Sequence, residues 1–225
     1  GDGSPLGGGN NTCHLYSAAG TYNVQLIATS DDGCVDDTTI TVTVHPQPVI
    51  DFSGTSVCIN TPLNIFTNNS SIPTGSITQW NWNFGDGGVS PLENPAHTYS
   101  TPGTYNVTLI GISAEGCQDT LVQAVDVYEK PMADFIADET EGCDPLEVNF
   151  TDNSVSNANS IVSWDWDFGN GNTSNDANPA NIVFDGSGTL AAISYDVQLI
   201  VSNDNGCFDT LSIANYITVH PDPIA

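Results

Sequence analysis

The sequence predicts an all-β protein built from repeated domains, and two recurring blocks and one cysteine spacing lead to this prediction. The first block reads Trp-Asn-Trp-Asn-Phe-Gly-Asp-Gly at residues 80–87 and returns as Trp-Asp-Trp-Asp-Phe-Gly-Asn-Gly at residues 164–171. Large apolar residues alternate with small polar ones, as in a strand with one buried face, and the glycine-rich end is typical of a tight turn. The core-facing residues would be Trp80, Trp82, Phe84, Trp164, Trp166 and Phe168.

The second block is an alternating strand that begins near a tyrosine. Tyr22, Tyr105 and Tyr195 each precede, by 12 residues, a cysteine that follows a glycine. The tyrosines are 83 and 90 residues apart, which is the size of a small domain and longer than a solenoid unit. We therefore expect one domain per period, with Tyr105 and Tyr195 among the core residues.

The charge of the chain excludes several classes of partner. Lys and Arg together contribute 1 residue and Asp and Glu contribute 27, so that the formal net charge is −26. Such a charge repels nucleic acid and anionic lipid and attracts cations. No apolar run is long enough to span a bilayer. We expect no nucleic-acid partner and no membrane insertion.

The cysteines indicate the compartment. Five of the six cysteines recur at matching positions and none forms a Cys-x-x-Cys pair, which favours disulfides in an oxidising, extracellular environment over metal or redox chemistry. The sequence contains no signal peptide. We expect an interior piece of a longer cell-surface or secreted protein, with a short secreted protein as the alternative.

Together these blocks resemble the PKD domain, an immunoglobulin-like β-sandwich whose signature runs Trp-x-Trp-x-Phe-Gly-Asp-Gly, Asn-Pro-x-His-x-Tyr and Pro-Gly-Thr-Tyr-x-Val-x-Leu. The middle repeat carries all three parts, the second at residues 94–99 and the third at residues 102–109. The resemblance covers nearly the whole chain. It implies tandem immunoglobulin-like β-sandwiches that stand end to end and have their neighbouring PKD domains as partners.

The repeats divide the chain at short proline-containing linkers. Residues 1–46 correspond to the C-terminal part of a domain, 47–130 to a complete domain, and 131–221 to a second complete domain. The last of these has an insertion near residues 182–192, interpreted as a longer hairpin loop or a repeat-specific contact surface. Residues 222–225 would begin the next linker.

The cysteine positions suggest a pairing within each domain. Cys58 and Cys143 open a strand that contains a Pro-Leu pair, whereas Cys117 and Cys207 close the loop after the tyrosine strand. We expect the disulfides Cys58–Cys117 and Cys143–Cys207. Each would close a loop of about sixty residues and contribute roughly 4 kcal/mol. By the same register, Cys34 would pair with a cysteine upstream of this sequence.

The histidines do not suggest an active site. His14 and His97 occupy matching positions, and the third repeat has Asn181 there, which a packing or turn role tolerates and a catalytic role does not. His45 and His220 stand directly before linker prolines. We expect this segment to be non-catalytic.

Acidic residues near turns leave two interpretations open. Asp31, Asp32 and Asp204 lie beside the Gly-Cys pairs, and Asp165 and Asp167 flank a tryptophan of the first block. Oxygen ligands from loops and strand ends suit Ca²⁺, so weak calcium binding at these five residues is one hypothesis. The other is that the carboxylates serve turns and solubility.

The paired tryptophans also have two interpretations. Two residues apart on a strand, they share one face. In the PKD motif that face is usually core, and the alternative is a platform on which a sugar stacks.

Two threonines are candidate modification sites. Asp-Thr-Leu occurs around Thr120 and Thr210 and resembles the Asp-Ser/Thr-aliphatic acceptor of O-glycosylation in the Bacteroidota. The matching places of the two triplets are also explained by the repeat itself.

The chain is similar to the tandem PKD arrays of very large cell-surface proteins of the Bacteroidota. The similarity lies in the cysteines near Pro-Leu pairs, the cysteines that follow a glycine, and the acidic, Thr/Asn-rich composition. That class of cell-surface proteins includes gliding-motility adhesins exported by the type 9 secretion system. The resemblance implies a structural stalk, with secretion or motility machinery and extracellular polysaccharide or surfaces as partners. The alternatives are accessory modules of a secreted polymer-degrading hydrolase and a self-assembling surface-layer or filament subunit.

Overall fold

The structure, a computed structural model, describes residues 1–4, 13–60, 64–157, 159–186 and 191–221. These residues form strands, turns and loops, and none of them lies in a helix. The prediction of an all-β protein is therefore confirmed.

The strands are numbered in chain order. The first repeat contains β1 Gly20–Thr29 and β2 Val35–Val44. The middle repeat contains β3 Phe52–Ser53, β4 Val57–Cys58, β5 Asn64–Ile65, β6 Thr67–Asn68, β7 Ile77–Asn83, β8 Val89–Ser90, β9 Ala96–His97, β10 Gly103–Ser113 and β11 Gln118–Tyr128. The third repeat contains β12 Phe135–Ala137, β13 Glu141–Cys143, β14 Leu146–Val148, β15 Phe150–Asp152, β16 Ile161–Asp167, β17 Thr173–Ser174, β18 Ile182–Phe184, β19 Ile193–Asn203 and β20 Phe208–His220.

The chain divides into two compact units whose boundary passes through the middle repeat. The first unit consists of Gly1–Thr55, Asn64–His97 and Tyr105–Val125, and the second of Ser56–Leu63, Thr98–Thr104 and Asp126–Ala225. The linker at residues 45–48 therefore lies inside the first unit. The linker at residues 129–131 lies inside the second.

The middle and third repeats share one sheet topology. The five-stranded sheets have the orders β4-β11-β10-β7-β8 and β13-β20-β19-β16-β17, and the short pairs β3-β6, β5-β9, β12-β15 and β14-β18 accompany them. Most pairs are antiparallel, but β4 runs parallel to β11 and β13 runs parallel to β20. Each of these parallel strands ends at a cysteine. The repeats are immunoglobulin-like β-sandwiches, as predicted.

The core of the third repeat is built on the first sequence block. Trp166 and Phe168 are fully buried. The Trp166 ring lies 5.6 Å from Phe150 and 5.2 Å from Phe135 between centroids, in tilted and edge-to-face arrangements that aromatic rings prefer. Trp164 packs against this core while half-buried. Strand alternation thus places the large residues of β16 on one face.

The first unit contains an equivalent core. Trp82 and Phe84 are buried, and the Trp82 ring lies 5.0 Å from Phe52 and 5.6 Å from Phe66 between centroids. Trp80 is half-buried on the same face of β7. The burial of these large rings supplies much of the hydrophobic stabilisation of the repeat.

The tyrosines of the second block are half-buried at the start of the long strands. Tyr195 packs against the core of the third repeat and its hydroxyl donates to the Asp185 carbonyl at 2.8 Å. Tyr22 makes a similar bond to the Ala18 carbonyl at 2.8 Å. Tyr105 occupies the same place in β10. The insertion expected near residues 182–192 begins with β18, and residues 187–190 lie outside the described residues.

The first repeat is a long hairpin in its described residues. The strands β1 and β2 pair antiparallel from Gly20↔Val44 to Thr29↔Val35. Ile40 on β2 is 60% exposed, because the described part of this repeat contributes no opposing sheet.

Candidate functional site

Three hairpins present a cysteine in the same way. Between β19 and β20, the Asn203 side-chain oxygen accepts the Cys207 N–H at 3.0 Å, and the Asn203 N–H donates to the Cys207 carbonyl at 2.9 Å. Gly206 turns the chain at a φ of 75°, a conformation that glycine adopts without steric cost. The equivalent pairs, bonded through a serine hydroxyl, are Ser30–Cys34 and Ser113–Cys117. We call Cys34, Cys117 and Cys207 the hairpin cysteines.

Two cysteines lie at the opposite end of a repeat. Cys58 is the last residue of β4 and pairs, in parallel, with Tyr128 at the end of β11. Cys143 is the last residue of β13 and pairs in the same manner with His220 at the end of β20. We call Cys58 and Cys143 the strand cysteines.

The structure joins a strand cysteine to a hairpin cysteine of the next repeat. Cys58 and Cys207 form a disulfide with their Cα atoms 5.6 Å apart, inside the range of about 4.4–6.8 Å that disulfides require. Within the described residues, Cys117 and Cys143 form no disulfide. The expected pairings Cys58–Cys117 and Cys143–Cys207 are therefore wrong.

Strand length explains this correction. Cys117 immediately precedes β11, whereas Cys58 lies opposite the last residue of that strand. An 11-residue strand holds its ends roughly 35 Å apart, several times the reach of a disulfide. The longer strand β20 separates Cys207 from Cys143 in the same way.

Polar side chains surround the buried half of this disulfide. Cys207 is fully buried and Asn203 is 2% exposed. The Asn203 amide donates to the Glu129 carbonyl at 3.0 Å, and the Asn157 amide donates to the Glu129 carboxylate at 3.0 Å. The linker backbone is therefore bound to the hairpin that carries the disulfide.

The chain's single Lys or Arg residue also lies at this linker. The Lys130 ammonium is 5.8 Å from the centroid of the Phe208 ring, within the range of a cation–π interaction. Sequence reasoning missed Asn203, Glu129 and Lys130. A signal was available for Asn203, because the other two hairpins have a serine at that place.

The linker inside the first unit is held without a covalent bond. The Gln47 amide donates to the Gln118 carbonyl at 3.0 Å, and His45 lies 3.9 Å from the Glu115 carboxylate. Gln118 directly follows the free hairpin cysteine Cys117, as Phe208 follows Cys207.

The five residues proposed for calcium do not form a metal-binding group among the described residues. Asp31 and Asp32 are exposed in the β1–β2 turn. The Asp204 N–H donates to the residue before β16, whereas Asp167 ends that seven-residue strand, roughly 20 Å away. Asp165 is exposed on the same strand. Among the described residues, no group of three or more His, Cys, Asp and Glu side chains could hold a metal ion.

The tryptophan indoles donate hydrogen bonds within their own repeats. Trp82 and Trp166 each donate from Nε1 to a backbone carbonyl at 2.9 Å. The Trp164 Nε1 donates to the Asp152 carboxylate at 2.6 Å. These bonds and the burial of the rings favour the core interpretation over a sugar platform.

The two candidate glycosylation residues are accessible. Thr120 and Thr210 are exposed on β11 and β20. The aspartates before them are structural, since Asp119 accepts the Ile50 N–H at 3.2 Å and Asp209 accepts the Ala133 N–H at 2.9 Å.

A histidine–aspartate pair closes the turn of the first block. His97 Nε2 lies 2.7 Å from Asp86 Oδ2, and the His97 ring stacks on Phe84 at 4.1 Å between centroids. Burial acts to raise the pKa of Asp86, but hydrogen bonds from the Gly88 N–H and the His97 ring together lower that pKa below its ordinary value. His14 and Asp2 form the same pair in the first repeat.

None of the described residues belongs to a helix that could cross a membrane. This finding concerns helices alone.

Comparison with known proteins identifies the blocks described above. The profile of the family described as "PKD domain" matches residues 1–44, 45–127 and 128–219.

Two curated relatives are similar over part of the chain. The pre-pro-metalloprotease PrtV of Vibrio cholerae is 30% identical over 146 residues, which are 65% of this chain and 15% of that protein. The microbial collagenase of Vibrio alginolyticus is 39% identical over 57 residues, 25% of this chain and 7% of that protein. The chain therefore spans a small part of the length of these relatives.

Solved structures are similar as well. The PKD1 domain of PrtV is 27% identical, with a TM-score of 0.31, and covers 37% of this chain and 98% of its own. The PKD1 domain of Vibrio anguillarum Epp is 23% identical, with a TM-score of 0.35, and covers 38% of this chain and 99% of its own.

Proposed function

The chain belongs to the PKD domain family along nearly its whole length, and from this premise we propose that it is a structural stalk segment of a large extracellular protein. The segment consists of non-catalytic PKD modules. Its role is to hold other parts of the protein at a distance and to carry force between them. The disulfide is consistent with an extracellular location.

The observation that carries this proposal is the Cys58–Cys207 bond. The two cysteines are separated by 149 residues, so a force applied at the chain ends passes through the sulfur atoms and bypasses the enclosed residues. At about 3.6 Å per extended residue, the bond prevents the enclosed chain from adding roughly 540 Å to the length of the stretched protein. Such a bond suits a segment that must keep its length under load.

Charge supports the same role. A formal net charge of −26 with a single basic residue makes repeats repel one another and repel copies of the chain. Repulsion between like charges favours an extended array that does not adhere to itself.

The finer proposal is a cell-surface stalk of the Bacteroidota type, used in attachment or gliding motility and exported by the type 9 route. Its support is the acidic, Thr/Asn-rich composition and the repeated cysteine pattern. The partners would be neighbouring PKD domains, the secretion or motility machinery, and extracellular polysaccharide or surfaces. Glycans on the exposed Thr120 and Thr210 belong to this proposal.

A second candidate rests on the relatives. Because the matched proteins are named a metalloprotease and a collagenase, the segment could serve as accessory modules of a secreted polymer-degrading enzyme. The chain would then bind the polymer, and exposed residues of the repeats would make the contact.

Two experiments separate the candidates. Intact and peptide mass spectrometry of the unreduced protein from its native source should find further PKD repeats and a secretion-sorting domain; a catalytic domain beside these repeats would overturn the stalk. Co-sedimentation of residues 1–225 with insoluble collagen and chitin should leave the protein in the supernatant, and depletion by either polymer would favour the accessory module.

The mechanical role is tested by pulling single molecules from both ends. The oxidised chain should extend roughly 540 Å less than the chain in reducing buffer. Equal extensions would show that the disulfide carries no load and would contradict the proposal.

A further inference from the structure

We infer that Cys117 and Cys143 are the free halves of two further disulfides, in which a strand cysteine of one PKD repeat bonds to the hairpin cysteine of the next repeat of the same chain. We call this series of bonds between consecutive repeats the ladder, and the bond Cys58–Cys207 is one member of it. The inference rests on the proposal that further PKD repeats flank this segment, but it concerns bond positions and not the mechanical role.

Cys143 has the same backbone setting as the bonded Cys58. Each is paired in parallel with the last residue of the final strand of its repeat. In both cases the next N–H along the chain donates to the carbonyl of that last residue, at 2.8 Å after Cys58 and 3.0 Å after Cys143. The Cys143 thiol is exposed. A hairpin cysteine of a following repeat would therefore meet Cys143 as Cys207 meets Cys58.

Cys117 has the same backbone setting as the bonded Cys207. Both follow a glycine with positive φ, 83° at Gly116 and 75° at Gly206. Both donate their N–H to the side chain four residues earlier, at 3.1 Å and 3.0 Å. The complementary partner of Cys117 is a strand cysteine of the preceding repeat. The cysteines of residues 1–46 are Cys13 and the hairpin cysteine Cys34, and neither stands at the position of a strand cysteine.

Bonds within one repeat are excluded for these thiols by distance. The final strand of a repeat holds its hairpin cysteine and its strand cysteine at opposite ends, roughly 35 Å apart. The bond Cys58–Cys207 demonstrates the alternative, in which the strand cysteine of one repeat reaches the hairpin of the next within a single compact unit.

The ladder has a topological consequence. Cys143 lies between Cys58 and Cys207 in sequence, so a bond from Cys143 to a later repeat closes a ring that overlaps the first ring. Overlapping rings leave few residues of any repeat in the path of a pulling force. The unfolding of one repeat would then add little length to the array.

Formation of each bond is an ordinary oxidation of two thiols. Two S–H bonds are lost and one S–S bond forms, and two protons and two electrons pass to the disulfide of a thiol–disulfide oxidoreductase, which becomes a dithiol. Such oxidants act in the extracytoplasmic compartments where structural disulfides persist.

The test is a disulfide map of the protein from its native source, blocked with maleimide before digestion without reduction. Cys143 should be joined to a peptide in which a cysteine follows glycine in another PKD repeat, and Cys117 to a peptide that precedes residue 1. Labelling of either thiol by maleimide, a bond to glutathione, or the pair Cys58–Cys117 would overturn the ladder. The chain mass on a non-reducing gel should equal the reduced mass, whereas a dimer would contradict bonding within one chain.

A variant provides an independent control. Cys143→Ser should release one new maleimide-reactive cysteine, located in the next repeat, while Cys13→Ser, which removes an exposed cysteine that forms no disulfide within the described residues, should release none. Release of Cys207 by Cys143→Ser would support bonding within a repeat and refute the ladder. If the variant fails to fold, the wild-type map alone decides.

Discussion

The two repeat junctions use the same hairpin but are held by different chemistry. In the second unit, Cys58–Cys207 ties the hairpin covalently, and Asn203 binds the linker carbonyl of Glu129. In the first unit, the linker is held by one amide hydrogen bond and a 3.9 Å contact between His45 and Glu115. The hairpin has the same geometry at both junctions. The covalent bond at the second junction comes from the strand cysteine that meets the hairpin cysteine there.

The first unit has an electrostatic feature that the third repeat lacks. Asp86 and His97 close the turn of the middle repeat as an ion pair or hydrogen bond, whereas the third repeat has Asn170 and Asn181 at these places. The first unit therefore contains a titratable contact at this turn, and the second unit contains a disulfide. Four substitutions or conditions separate these contributions.

Removing the disulfide should have the largest effect. Cys58→Ser should lower the free energy of unfolding of the second unit by about 5 kcal/mol, since the bond restricts the unfolded chain over a separation of 149 residues. Hydrogen exchange of the β19 and β20 amides under non-reducing conditions measures this loss. The control is Cys13→Ser, which removes an exposed thiol that takes no part in the inferred inter-repeat bonds and should change little. Equal protection in wild type and Cys58→Ser would refute the covalent account of the second junction.

The sequence predicted the cores but not the cysteine connectivity. Alternation alone places Trp82 and Trp166 on the buried face, because side chains in a strand alternate with period two. Connectivity depends on the direction of β4, which runs parallel to the end of β11. The contact that sets this direction is distant in sequence, and local patterns do not record it. For that reason the short loop Cys58–Cys117 looked reasonable and was wrong.

The polar contacts of the linker were also beyond sequence reasoning. Asn203 is buried and donates to Glu129 from 74 residues away. Asparagine is a common turn residue at the end of a strand. The sequence therefore predicts a role for Asn203 in the hairpin and does not predict its contact with the linker. The packed junction gives Asn203 its second role.

Substitutions at Asn203 should have the next largest effect. Asn203→Ala should cost about 1–3 kcal/mol, because it removes the acceptor of the buried Cys207 N–H and leaves the half-buried Glu129 carbonyl without this donor. Asn203→Ser keeps a hydroxyl acceptor, as in the first unit, and should cost roughly 1 kcal/mol. Chemical denaturation of the oxidised protein provides the measurement. If both variants lose the same stability, the bond to the linker contributes nothing.

A smaller effect is expected at the cation of the second junction. Lys130→Met should destabilise the second unit by about 0.5–1 kcal/mol, at the low end because the Phe208 ring is largely exposed. Lys130→Arg should retain the interaction and is the matched control. Thermal unfolding of the two variants is the comparison. A loss in Lys130→Arg equal to that in Lys130→Met would assign the effect to packing of the lysine stem and not to its charge.

The smallest expected effect is on the pH dependence of stability, which should differ between the two units. The pKa of Asp86 in the folded protein lies below its ordinary value of 3.8, so its contribution to stability is complete above that pH and is lost as the pH falls further. Asp86→Asn should abolish this part of the acid sensitivity of the first unit. The third repeat shows that asparagine satisfies the turn, since Asn170 accepts the Asn172 N–H at 2.9 Å as Asp86 accepts that of Gly88.

Hydrogen exchange of β7 amides between pH 5 and pH 3 provides the test. The protection lost over this range should be smaller in Asp86→Asn than in wild type, while protection in β16 should fall equally in both proteins. An unchanged loss in β7 would show that the Asp86–His97 pair does not distinguish the first unit from the second.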